Sequence, residues 1–266
     1  MLNERALDAA TVALLAERVD NAARNRTAIS MLSAEYPQMK LGDAYAVQNA
    51  LRARMEGRGI RVTGLKMGLT SRAKMLQMGV SESLHGFISD DGAYADGAEI
   101  PVARYIHPRI EAEIAVVMKT ALKGPNCDAL KAAAAIDFVL PAIEVIDSRF
   151  ADFKFDILSV VADNTSAAGY VVGGRTRRLH EIDLLTEGVV LTRNGQIAEV
   201  GAGAAVLGNP LDAVAMLANQ RAELGTEIPA GCLVMTGGIT AAIHVQAGDV
   251  VVVHYHSLGS VRMRFV

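Results

Sequence analysis

The sequence predicts an α+β fold, with an N-terminal helical region over residues 1–60 and a β-rich domain over 61–266. Three observations point there. Apolar residues recur at helical spacing twice before Gly59, branched residues gather in short runs after it, and Gly, Pro or Asn bounds most of those runs.

Taken in order, Leu7, Val12, Leu14, Leu15 and Val19 mark a first helix between Leu7 and Arg24. Ala44, Val47, Leu51 and Met55 mark a second, with Asp43 as the expected N-cap and Gly57 as the stop. Strands are expected at Val62 to Leu69, Ile110 to Met118, Phe138 to Ile146, Gly188 to Arg193, Leu233 to Thr236 and Val250 to His256. Arg193-Asn194-Gly195-Gln196 is a hairpin signal, because Asn-Gly adopts the left-handed backbone that a two-residue turn requires. Helices interrupt the strands at Asp128 to Ala134 and Pro210 to Glu223, and Gly248-Asp249 with Gly259 suggests a closing hairpin.

A hydrophobic fraction of 51% with only 21% charged residues is far from the composition of a disordered chain. The net charge of -3 offers no basic footprint for nucleic acid. Cys127 and Cys232 are the only cysteines and lack metal-ligand spacing, which favours a reducing compartment, with the cytoplasm as the expected location. The first twenty residues do not have the layout of a signal peptide, and no apolar run is long enough for a membrane span.

Candidate chemistry begins with Arg109-Ile110-Glu111-Ala112-Glu113-Ile114. In a strand of period two, Glu111 and Glu113 share a face. They are either a solvated edge or, given the apolar residues that follow, buried like charges that need a cation or a proton. Glu144 is a third carboxylate, inside the apolar run Val139 to Ile146. Three carboxylates without clustered Cys or His form a hard oxygen site of the type that suits Mg²⁺ or Mn²⁺. His107, placed before Pro108, reads as a turn residue. Lys66 sits among apolar residues between Gly64 and Gly68, either as a lysine whose stem packs on a strand or as a group at a ligand site. The loop Thr236-Gly237-Gly238-Ile239-Thr240 has amides and hydroxyls suited to a substrate carboxylate.

The same stretches resemble the fumarylacetoacetate hydrolase superfamily, in its branch of 2-oxopent-4-enoate hydratases and 4-oxalocrotonate decarboxylases. The resemblance runs from about Leu41 to Val266 and rests on four ordered segments: Gly64 to Ser71, Pro108 to Ala115, Pro141 to Arg149 and Val161 to Asn164. It implies that Glu111, Glu113 and Glu144 bind the metal, that Lys66 is catalytic, and that the fold is a β-rich mixed one with helices ahead of it. Within the branch, Phe153 to Val161 and Met235 to Thr240 look more like the decarboxylases. Ser83-Leu84-His85-Gly86 stands where hydratases commonly have Pro-Asp-aromatic-Gly, which points the same way.

The resemblance therefore implies metal-dependent decarboxylation of (3E)-2-oxohex-3-enedioate, with a hydratase or a non-catalytic stabilising subunit of a hydratase complex as alternatives. Lys66 is expected to act as a cation or proton donor with a pKa lowered by burial and metal. Expected substrate contacts are Leu69, Thr70, Ser71, His85, Asn164, Gly237, Gly238 and Thr240. A homo-oligomer, and a complex with the pathway hydratase, are the expected assemblies.

Overall fold

The computed structural model describes residues 4–77 and 83–266. Three helices come first: α1 (Ala9–Asn25), α2 (Leu32–Glu35) and α3 (Leu41–Glu56). They are followed by β1 (Val62–Gly68), α4 (Arg72–Gln77), β2 (Leu84–Ser89), β3 (Ala93–Tyr94), β4 (Glu99–Ile100) and β5 (Arg109–Met118). Next are α5 (Ala129–Ala135), β6 (Ile136–Ile146), α6 (Ile157–Ala162), β7 (Ala167–Val172), β8 (Gly188–Arg193), β9 (Gln196–Ala202) and α7 (Pro210–Glu223). The chain closes with β10 (Leu233–Gly238), β11 (Ile243–His244), β12 (Val250–Tyr255) and β13 (Gly259–Phe265).

Two sheets form the body. One runs β2-β1-β10-β5-β6-β7-β3 with β11 added to β5, and the other runs β4-β13-β12-β8-β9. Ile110, Ile114 and Val116 of β5 share a fully buried apolar cluster with Val251, Val253 and Val261 of the second sheet and with Val214 and Leu217 of α7. This cover buries the face of β5 turned away from Glu111 and Glu113, as its branched residues require. Tyr255 ties the sheets together, its hydroxyl lying 2.7 Å from the carbonyls of both Glu113 and Ala142.

The α+β expectation holds, and the expected strands agree with the observed ones to within two residues at each end. The Asn194-Gly195 turn joins β8 to β9 with both residues at positive φ, 54° and 76°. Asp43 differs from its expected role, because α3 begins earlier, at Leu41. From the third helical position its buried carboxylate accepts from the Lys40 amide and from the amides of Ala6 and Leu7, fastening the start of the chain to α3. Several observed elements had no periodic signal, among them α6 and the strands β2 and β7.

α6 matters because the N-terminal helices pack against it. Leu15, Val19, Tyr45, Val47 and Leu51 share one buried cluster with Phe150, Val160 and Val161. His85 of β2 supports the same junction. Its ring stacks on Tyr45 at 4.5 Å between centroids, and its Nδ1 lies 3.0 Å from Gln220 Oε1. Since Gln220 Nε2 donates to the Ser83 carbonyl, Oε1 is the acceptor and Nδ1 carries the proton of a neutral imidazole.

Burial lowers the His85 pKa from 6.5 to about 4. Its contribution to stability is therefore complete above about pH 6.5, where the unfolded imidazole is also neutral, and is lost as pH falls towards 4. A His85→Gln variant should show a smaller loss of stability between pH 7 and 4 in denaturant titrations. An identical slope in variant and parent would remove His85 from this role.

Candidate active site

The antiparallel pairing of β5 with β6 places Glu111 directly opposite Glu144 and Glu113 opposite Ala142. Alternation then puts all three carboxylates on one face of the sheet. β1 brings Lys66 to that face. Its ammonium lies 2.8 Å from Glu144 Oε1 and 2.9 Å from Oε2, but only Oε2 is aligned to accept a hydrogen bond. A further bond, 3.1 Å long, goes to the Thr165 carbonyl.

Lys66, Glu113 and Glu144 are each no more than 2% exposed. Burial works to depress the Lys66 ammonium, but Glu144, Glu113 and Glu111 overcome it and hold the pKa above its ordinary value. The number of carboxylates around one amine outweighs its burial. Glu113 is pushed well above the usual carboxylate range by burial and by its neighbours Glu144 and Glu111.

These groups line a cavity of about 550 Å³. Leu69, Thr70, Ser71 and Gly238 line it as expected, together with Arg109, Thr165, Ser166 and an apolar wall that includes Leu84, Ile146, Phe153, Phe155, Ile157 and Val160. Four buried side-chain polar atoms among the described residues have no hydrogen-bond partner. Three of them, Glu113 Oε1, Glu144 Oε1 and Ser166 Oγ, belong to residues of this cavity, which marks it as a ligand site. The fourth is Nε2 of His107, whose ring is 5.2 Å from that of Phe153.

Other expected contacts face elsewhere. His85 serves the helical junction, and Asn164 spends its amide on β2, accepting from the Phe87 amide and donating to the Phe87 carbonyl, both at 2.9 Å. Asn164, Thr165 and Ser166 all have positive φ, 51°, 50° and 59°, an uncommon run for residues other than glycine. The clamp on Phe87 holds this strained turn so that the Thr165 carbonyl meets Lys66. The segment from Thr236 to Thr240, at the end of β10 and just after it, uses its polar groups on β5. The Gly237 amide donates to Glu113 Oε2 at 2.8 Å, Thr236 Oγ1 donates to the Ile114 carbonyl, and Thr240 Oγ1 accepts from the Ala112 amide. These groups support the carboxylates of β5.

The donor set suits a hard divalent cation. Glu113 Oε1 and Glu144 Oε1 accept no hydrogen bond, and the crowding that pushes Glu113 above the usual carboxylate range is what a divalent cation would relieve. Glycine at position 238 makes room for Glu111, since a Cβ there would lie 1.8 Å from Glu111 Oε2. Among the described residues, no three His, Cys, Asp or Glu side chains are drawn onto a single point, and Glu144 is shared with Lys66. A divalent ion at this face would compete with the ammonium for that carboxylate.

The sequence model for the fumarylacetoacetate (FAA) hydrolase C-terminal family matches residues 69–266. The chain belongs to this family. A family relative, 4-oxalocrotonate decarboxylase of Pseudomonas putida, is 52% identical over 262 residues, covering 98% of this chain and 99% of its own. A 2-oxo-hept-4-ene-1,7-dioate hydratase of Escherichia coli is 37% identical over 265 residues, covering 97% of this chain and 99% of its own. Among solved structures, 4-oxalocrotonate decarboxylase from Pseudomonas putida G7, complexed with magnesium and adipate, superposes with a TM-score of 0.98 at 52% identity, covering 99% of this chain and all of that one.

The close approach at position 238 is testable. Gly238→Ala should displace Glu111 and weaken Mg²⁺ or Mn²⁺ binding about 10–100-fold, as loss of a supporting contact commonly does. An unchanged metal titration would take Glu111 out of the ligand set.

Proposed function

We propose that this protein is a metal-dependent carboxy-lyase that converts (3E)-2-oxohex-3-enedioate to 2-hydroxypenta-2,4-dienoate and CO₂ in the breakdown of aromatic compounds. The observation that carries the reading is the face that groups Glu111 with the buried Glu113, Glu144 and Lys66 beside an apolar wall. It is supported by 52% identity to a 4-oxalocrotonate decarboxylase across nearly all of both chains. The more distant hydratase makes hydration the runner-up.

The far carboxylate of this substrate is a vinylogous β-keto acid. When the C5–C6 bond breaks, its electron pair becomes the C4–C5 double bond, the C3–C4 pair moves to C2–C3, and negative charge collects on the 2-oxo oxygen. Glu111, Glu113 and Glu144 would hold Mg²⁺ or Mn²⁺, which supplies Lewis-acid stabilisation of that charge, worth several kcal/mol. Lys66, kept protonated by its carboxylate neighbours, presents a cation and a proton to the same oxygen. The same protonation works against a Schiff-base route, because an ammonium is not a nucleophile. Phe153, Phe155, Ile157 and Val160 keep water from the departing CO₂ and the dienolate. Leu69, Thr70 and Ser71 close the substrate side of the cavity.

The reading extends to a helical region over 1–60 ahead of a catalytic domain over 61–266, in a cytoplasmic homo-oligomer that associates with the pathway hydratase. Ile197 and Val200, exposed on the edge strand β9, support self-association. Among the described residues no helix is long and apolar enough to cross a membrane.

Purified protein with Mg²⁺ should release CO₂ from the hexenedioate, lose that activity on exhaustive chelation and regain it with Mg²⁺ or Mn²⁺. Hydration of 2-hydroxypenta-2,4-dienoate without CO₂ release would reverse the assignment, and an inactive chain that stabilises a hydratase would make it a subunit.

Lys66→Met, assayed at saturating Mg²⁺ because Glu144 loses its partner, should lower kcat about 10²–10⁴-fold. Metal affinity should be equal or tighter, since the ammonium no longer competes for Glu144. A kcat equal to wild type would return Lys66 to a packing role.

A further inference from the structure

Arg109 lines the cavity but has no part in the chemistry described above. Lys66 and Arg109 are the cations of the described lining, and Lys66 is committed to Glu144. Arg109 is half-buried, and no carboxylate or carbonyl among the described residues accepts from its guanidinium. Instead its Cζ lies 4.1 Å from the centroid of the Phe153 ring. Stacking covers one face of the guanidinium and leaves its in-plane N–H edge available to a planar, bidentate acceptor. Phe153 itself is held at φ 57° directly after Asp152, also at 57°. A bulky residue is rarely found there, so the surrounding structure maintains this position at a cost in backbone energy.

The distance along the strand fits a diacid. Arg109 and Glu111 share the cavity face of β5, opposite Ile146 and Glu144 respectively. Six backbone bonds separate their Cα atoms and five carbon–carbon bonds separate the ends of a six-carbon chain, so both spans are roughly 6–7 Å. With its 2-oxo acid end at the carboxylate cluster, such a substrate extends its other end towards Arg109. The apolar neighbours Ile146, Phe153 and Phe155 strengthen an ion pair formed there by excluding water.

Resting on the decarboxylase reading, we infer that Arg109, stacked on Phe153, binds the far carboxylate of the substrate and selects diacids over monoacids. This is the carboxylate that leaves as CO₂. Its charge disperses as the bond breaks, so the contact is strongest in the ground state and governs binding more than turnover.

The test is titration calorimetry of the Mg²⁺-loaded protein with 2-oxoadipate and 2-oxohexanoate, which share the 2-oxo acid end and differ only in the far carboxylate. Wild type should bind the diacid about 10–100-fold more tightly, the size expected of a charge-assisted contact. Arg109→Gln should erase that preference while binding 2-oxohexanoate as before, and should raise KM for the hexenedioate with kcat nearly unchanged. Arg109→Lys, which keeps the charge without the planar fork, should retain part of the preference.

Equal binding of the two acids by wild type, or an undiminished preference in Arg109→Gln, would overturn the inference and leave the decarboxylase reading standing. Loss of both ligands in both variants would make Arg109 a structural support instead. If Mg²⁺-loaded wild type binds neither acid, the decarboxylase reading fails and the inference fails with it.

Discussion

The site depends on the pairing of two buried strands, β5 and β6, in the register that sets Glu111 against Glu144. Carboxylates directly opposite one another repel, and here a third, Glu113, stands beside them with almost no water to screen the charge. Such an arrangement persists only if cations meet it. Lys66 supplies one charge from β1, and the remaining oxygens are of the hard kind that suits a divalent ion. The covering layers matter for the same reason: the second sheet and α7 bury the strands that carry the carboxylates, and burial makes each charge in the cavity strong.

Much of the surrounding structure positions these four residues. Gly237 donates its amide to Glu113, Gly238 makes room for Glu111, and the strained turn at Asn164, Thr165 and Ser166 brings a carbonyl to Lys66. Groups that resemble substrate contacts in the sequence are in several cases supports for the carboxylates and Lys66. The division is physical, because a carboxylate or ammonium whose partners are backbone groups is held at a set position before substrate arrives. The cavity has two characters, a charged end at the carboxylates and an apolar wall from Phe153 to Val160. This suits a reaction that gathers charge at one end of a molecule and discharges it at the other.

The N-terminal helices share their core with α6, and α6 supplies Ile157 and Val160 to the cavity wall. His85, Gln48 and Gln220 bind this junction through buried hydrogen bonds, with Gln48 donating to the His85 and Val161 carbonyls. α6 is therefore shared between the core of the helical region and the wall of the cavity.

Local patterns determined a good part of this protein by themselves. Period-two alternation put Glu111 and Glu113 on one face, apolar context marked Glu144 as buried, and Asn194-Gly195 and Gly259 located hairpins. Each depends on residues near in the chain, where strand geometry and turn chemistry act directly. The tertiary structure decided which strand faced which. Only the register across thirty-two intervening residues could place Glu144 opposite Glu111, and only the β1–β10–β5 order could bring Lys66 to them. The same holds for His85 and Asn164, whose polar side chains read as ligand contacts until long-range packing assigned them to Gln220 and Phe87. Arg109 gave no signal beyond its charge, because its environment depends on Phe153, forty-four residues away in the chain and held against it by the fold.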